Sequence, residues 1–164
     1  LAPIHIEPIG LYAGKSKDLK NIKNGATIAI PNDATNGGRA LLLLQSAGII
    51  QLKKGTGINA TKADIVSNPH NVKLQELEAA QIPRSLKDVD FAVINSNFAL
   101  TVNLNPVKDA LFIEDSKSPY ANYLVVRQGD ENRPEIQKLV KALQSPEVKE
   151  YIDKNLKGAV VAAF

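Results

Sequence analysis

Two stretches of the chain share one pattern: an unbroken apolar run that opens into a polar loop and then resumes at helical spacing. In the first, Ile28-Ala29-Ile30-Pro31 gives way to Asn32-Asp33-Ala34-Thr35-Asn36-Gly37-Gly38-Arg39 and then to Ala40-Leu41-Leu42-Leu43-Leu44. In the second, Phe91-Ala92-Val93-Ile94 runs into Asn95-Ser96-Asn97-Phe98. Apolar residues at consecutive positions mark strands covered on both faces, as in parallel sheets between helices. A buried helix is expected from about Gly37 to Ala47, with Thr35 or Asn36 as its cap and Gly48 as its stop. If the two strands run parallel, both loops lie at the carboxyl edge of one sheet, where open α/β sheets take their ligands.

The elements around these corners are shorter. Ile4, Ile6 and Ile9 with Gly10–Ala13 read as a strand passing from one body to another, and the run 49–52 as a short apolar closure. A short helix is expected over 63–66, a strand through Val72, Leu74 and Leu77, and a helical piece from Ile82. One more strand falls within 108–115 and another within 123–126. Pro134 and Pro146 open two helices with apolar faces at Ile136, Leu139, Val140, Leu143 and at Val148, Tyr151, Ile152, Leu156. Residues 159–164 add a last strand or a docked tail.

Arg39 brings chemistry to the first corner. The first turn of a helix points unpaired N–H groups outward, and a two-pronged guanidinium beside it suits a carboxylate or phosphate. An ordinary strand-to-helix turn with a solvated arginine fits the local pattern equally well. The net charge of +3 arises from 20 basic and 17 acidic residues spread along the chain, with no basic tract and only 5% aromatics, so nucleic acid is not an expected partner. With no cysteine, disulfides, thiolate metal sites and cysteine nucleophiles are excluded. No stretch has the length of a membrane span, and no signal peptide or lipid-attachment cysteine is present. A chain without a single methionine is expected to be a processed product or a fragment.

No Gly-x-Ser-x-Gly elbow, Walker loop or metal-ligand spacing occurs. His5 and Glu7 share a face if their strand alternates, and read best as polar residues on a wet edge; His70 reads as a loop residue. Asp33, Asp90, Glu114 and Asp115 are acids that the sequence does not pair. The polar groups at the strand ends are chiefly Asn, Thr and Arg, which hold ligands well and activate nucleophiles poorly, so binding is expected rather than catalysis. Neither catalytic residue, metal nor cofactor is expected.

Six segments together carry a resemblance: Glu7-Pro8-Ile9-Gly10-Leu11-Tyr12, the stretch Ala29–Asp33 with Asn36-x-x-Arg39 and the leucine run, Glu78–Arg84, Ala92–Asn97, Ser118-Pro119-Tyr120-Ala121-Asn122, and Ser145–Val148. They resemble the methionine-binding lipoproteins of ABC importers, the NlpA lipoprotein family, over nearly the whole chain. The resemblance implies an α/β, two-lobed periplasmic-binding-protein-like fold that grips an amino acid between its lobes. It implies a crossing strand of the first lobe at 1–14, a complete second lobe at 15–115, and a return segment of the first lobe with the C-terminal helices at 116–164. Arg39 is similar to the arginine that pairs with the ligand carboxylate. Asn97 and Asn122 resemble amides that fix the head group, with Asn95 the weaker alternative to Asn97.

Family members carry a longer N-terminal portion with the lipid-attachment cysteine, the start of the first lobe and aromatic residues of the side-chain pocket. The first lobe is therefore expected to be partial, the chain alone to bind methionine weakly or not at all, and the exposed half-lobe to favour a dimer. The implied partners are L-methionine or a close amino acid and the permease and ATPase subunits, with the permease contacted directly. The implied location is the cell envelope, lipid-anchored on the outer face of the cell membrane or periplasmic. A surface interaction or adhesion module without transport, and a small α/β enzyme, remain the alternatives.

Overall fold

In the computed structural model, which describes residues 1–115 and 118–164, Pro8 interrupts what the sequence reads as one crossing strand. The chain divides into two compact units, one of Leu1–Pro8 with Asp115–Phe164 and one of Ile9–Glu114. The segment expected to cross as a single strand is thus two strands in different sheets. β1 (Ala2–Ile6) belongs to the smaller unit and β2 (Gly10–Ala13) to the larger. Proline lacks the N–H that a central ladder needs, which is the physical reason for the break.

The larger unit continues with β3 (Thr27–Pro31), α1 (Ala34–Ser46), β4 (Gln51–Leu52), β5 (Ile65–Ser67), β6 (Lys73–Leu77) and α2 (Ile82–Ser85). It closes with β7 (Phe91–Ile94), α3 (Ser96–Thr101), α4 (Pro106–Asp109) and β8 (Ala110–Ile113). Its main sheet has the order β6-β3-β7-β2-β8. β3 is parallel to both β6 and β7, as the apolar runs imply, whereas β2 is antiparallel to β7 and β8. Ile28, Ile30, Phe91 and Val93 face one side with Leu41 and Leu44 of α1. Ala29, Ala92 and Ile94 face the other with Tyr12, Ile82, Val89 and Ala99. Covering both faces is what requires consecutive apolar residues in β3 and β7. The Tyr12 hydroxyl is buried without a hydrogen-bond partner among the described residues, and burial first, then the charge of Asp109, pushes its pKa up.

Helix α1 begins earlier than expected. Its N-cap is Asp33, whose carboxylate accepts the Asn36 N–H at 2.9 Å, so neither Thr35 nor Asn36 caps it. Gly48 follows the helix at φ 74°, the left-handed geometry of a helix stop. A Cβ on Gly38 would lie 2.7 Å from the Ile58 carbonyl oxygen, so glycine there lets the 57–60 turn lie against the helix. The helix expected over 63–66 is instead a 3-10 turn, Lys62–Asp64, leading into β5, which pairs antiparallel with β4. Adjacent β-branched Ile65 and Val66 favour the extended form, and the Thr61/Asp64 capping box holds only one turn. The strand expected within 108–115 starts at Ala110, because Asn105 caps the helical turn α4 through the N–H groups of Val107 and Lys108.

The smaller unit holds β1, β9 (Asn122–Leu124), α5 (Pro134–Leu143), α6 (Pro146–Tyr151) and β10 (Val161–Ala162). β1 lies between β10 and β9, antiparallel to each. Ser145 caps α6, as its place before Pro146 implies, and a wider π-type turn, Ile152–Leu156, prolongs it. The Gln144 amide donates to the Pro3 carbonyl at 2.9 Å and ties the end of α5 to β1.

Candidate functional site

Because β3 and β7 are parallel neighbours, the two loops that follow them emerge at one edge of the sheet. They are joined by side chains. Asp33 holds Asn36 through its backbone N–H and through its side-chain amide at 3.2 and 3.1 Å, and Asn36 Oδ1 in turn accepts the Asn95 amide at 2.9 Å. The relay fixes the first turn of α1 against the N-cap of α3. Asn95, the weaker candidate from sequence, is thus the asparagine that links the corners, and its Oδ1 is buried with no hydrogen-bond partner among the described residues. Asn97, the stronger candidate, lies exposed on the first turn of α3.

Arg39 sits one helical turn further along α1 and is only 8% exposed, so it is no solvated surface arginine. Its Nε donates to Glu114 Oε1 at 2.8 Å and its Nη2 donates to Glu114 Oε2, a two-pronged ion pair in the parallel-fork geometry. Glu114 Oε2 also accepts the Ile9 N–H at 3.2 Å, and the Glu114 N–H donates to the Ile9 carbonyl at 2.9 Å. The guanidinium is thus aimed by an acid that is itself fixed to two strand ends.

Asn122, the third candidate, lies in the smaller unit opposite His5 in the β1–β9 ladder. Its amide nitrogen is 3.3 Å from His5 Nε2, and that same nitrogen is 3.1 Å from Glu7 Oε1. His5 and Glu7 do share a face, and their partner on it is the predicted ligand amide. One ring nitrogen cannot donate to Glu7 and accept from Asn122 at once, so the tautomer decides which contact is the hydrogen bond. Among the described residues there is no group of three His, Cys, Asp or Glu that could hold a metal ion. Nor is any described helix long and apolar enough to cross a membrane.

Sequence reasoning missed Glu114 as the partner of Arg39. The two are 75 positions apart, and the only local signal is an acid directly after the apolar strand β8.

The family model described as NlpA lipoprotein matches residues 1–164. A D-methionine-binding lipoprotein MetQ from Salmonella typhimurium is 47% identical over 161 residues, covering 97% of this chain and 59% of that protein. A solved nutrient binding protein from Burkholderia cenocepacia, bound to methionine, superposes with a TM-score of 0.91 at 54% identity, covering 99% of this chain and 69% of that one. A periplasmic substrate-binding protein of an ABC transporter from Coxiella burnetii gives a TM-score of 0.90 at 46% identity, with the same coverage of 99% and 69%. The chain spans less than two thirds of the curated MetQ protein's length.

Proposed function

Because this chain belongs to the NlpA lipoprotein family, we propose that it is part of a substrate-binding component of an ABC importer that captures methionine or a close amino acid. In this reading Arg39 receives the ligand carboxylate, and Asn97 and Asn122 supply amides for the amino-acid head group. An amide can accept from an ammonium group and donate to a carboxylate, so such a set suits a zwitterion. The protein works by capture and release rather than by chemistry, at the cell envelope under a lipid anchor, handing its ligand to the permease. The observation that carries the reading is Arg39 itself: a nearly buried guanidinium, held in a fixed plane by Glu114, at the loop edge of a parallel pair of strands. Names and bound ligand of the relatives support methionine as the amino acid.

Calorimetric titration with L-methionine tests it, on the 164-residue chain and on a gene product extended at the N-terminus to the length of its relatives. The extended protein is expected to bind and the 164-residue chain to bind weakly or not at all. Asn97→Ala is expected to weaken binding about tenfold, the loss of one hydrogen bond to a charged ligand group. Asn97 is exposed, so this change leaves the fold alone. An extended protein that ignores methionine, or one indifferent to both Asn97→Ala and Arg39→Lys, would overturn the proposal.

A further inference from the structure

His5 reaches Asn122 because the β1–β9 ladder is irregular. Pro3 is opposite Tyr123, but His5 is opposite Asn122, so Ile4 is an extra residue in β1. In a regular register Ile4 would lie opposite Asn122. The bulge is held from other elements. The Ile4 carbonyl accepts the Ala163 N–H at 3.1 Å, and the Pro3 carbonyl accepts the Gln144 amide at 2.9 Å. Directly opposed residues of an antiparallel pair carry their side chains on the same face, and Asn122 Nδ2 lies 3.3 Å from His5 Nε2. Glu7 Oε1 lies 3.1 Å from that same nitrogen. Across the other ladder His5 is opposite Ala162, which brings no polar side chain.

The Asn122 nitrogen can only donate, so its contact is a hydrogen bond when His5 Nε2 is bare and the ring proton is on Nδ1. One amide proton is then tied to the ring, and Oδ1 is left as an acceptor. With the proton on Nε2 the ring donates to Glu7 instead. Two N–H groups then face each other across the Asn122 contact, and the amide is let go.

We infer that His5 is a positioning residue for the Asn122 amide, holding it with Oδ1 offered to a ligand ammonium group, and that Glu7 competes for the same nitrogen and releases it. The inference rests on the reading of Asn122 as a ligand amide and adds what aims it. Glutamine in place of His5 removes the competition, because its carbonyl oxygen accepts from Asn122 while its NH2 group donates to Glu7. Leucine keeps much of the bulk and offers neither.

Calorimetric titration of the N-terminally extended gene product with L-methionine tests it. His5→Leu is expected to weaken binding about fivefold, the worth of one hydrogen bond that orients a ligand group, and His5→Gln to keep it within about twofold. Glu7→Ala is expected to strengthen binding about twofold where His5 is present and to change nothing in His5→Gln. A Glu7→Ala effect that is the same in both backgrounds runs through other contacts of Glu7 and overturns its part as competitor. In Asn122→Ala, adding His5→Leu is expected to cost nothing further. An equal loss there means that His5 acts on the fold at large, and it overturns the inference.

Nitrogen-15 spectra of the 164-residue chain and of its Glu7→Ala variant, at about pH 8 and so above the ordinary imidazole range, give a readout that needs no ligand. His70→Gln assigns the signals, since the chain has two histidines. The His5 Nε2 signal is expected to move toward that of a bare nitrogen when Glu7 is removed, and an unmoved signal overturns the inference. If the extended protein does not bind methionine, the proposed function fails and takes the inference with it; if it binds and ignores His5→Leu, only the positioning role fails.

Discussion

Removing the guanidinium of Arg39 tests whether the pair with Glu114 shapes the larger unit itself. Arg39→Met keeps most of the side-chain volume and leaves the Glu114 carboxylate, 12% exposed, with the Ile9 N–H still donating to it. Breaking a buried ion pair from one side costs about 3–5 kcal/mol, because the stranded charge loses its partner without regaining water. The partial exposure and the surviving Ile9 bond place this case at the lower end, about 3 kcal/mol. For a chain of this size that lowers the melting temperature by roughly 6–12 °C. Glu114→Gln alone is expected to cost about 2 kcal/mol, since the guanidinium keeps a neutral acceptor. The double variant Arg39→Met/Glu114→Gln strands no charge and keeps an acceptor for Ile9. It is expected to cost about 2 kcal/mol, well below the sum of the singles. Urea unfolding followed by circular dichroism on all four proteins closes the cycle. A cost for Arg39→Met below about 1 kcal/mol, or singles that add to within about 0.5 kcal/mol, would refute the reasoning.

Two further outcomes concern the sheet behind the site. Asp90 accepts the Thr27 N–H at 2.9 Å and the Ser16 hydroxyl at 3.0 Å, and its pKa is lowered, chiefly by the Thr27 backbone bond and secondarily by the Ser16 hydroxyl, against burial. A carboxylate lowered on folding stabilises above its unfolded value, about 4, and that stability is lost as pH falls through its lower folded value. Urea midpoints are therefore expected to fall below about pH 4 and to fall less steeply in Asp90→Asn; equal slopes in both proteins would count against this. Tyr12→Phe removes a buried hydroxyl that has no partner among the described residues, so it is expected to leave stability unchanged or raise it by up to about 1 kcal/mol, and a loss beyond about 0.5 kcal/mol would mean that the hydroxyl is bonded after all.

The parts of the fold that the sequence discloses are those written in local pattern. The consecutive apolar residues of β3 and β7 disclose parallel strands, and the Asn-rich loops after them disclose the sheet edge that carries the candidate site. Pro134, Ser145 and Pro146 mark helix starts that the structure keeps. What stays hidden depends on partners far along the chain. The helix expected over 63–66 gives way to a 3-10 turn and a strand because β4 is available to pair with Ile65–Ser67. Pro8 divides 1–14 between two sheets because β7 and β8 flank β2 while β9 and β10 flank β1. Glu114 looks like any acid after a strand until folding brings it to Arg39. The Asn36–Asn95 bond is likewise a property of two parallel strands, and no spacing within either loop announces it.

The pairing of Ile9 with Glu114 bears on how the chain folds. These residues are the first and last of the larger unit, and their backbones are hydrogen-bonded to one another. The smaller unit is assembled from Leu1–Pro8 and Asp115–Phe164, pieces separated by the whole of the larger one. Bringing such pieces together across a flexible loop of about a hundred residues costs on the order of 4 kcal/mol of chain entropy. A folded larger unit, whose ends already meet, supplies that closure in advance. The β1–β9 ladder is thereby made conditional on the larger unit, which is the natural first folder, and a break at the Ile9–Glu114 junction would loosen the smaller unit without touching any of its own contacts.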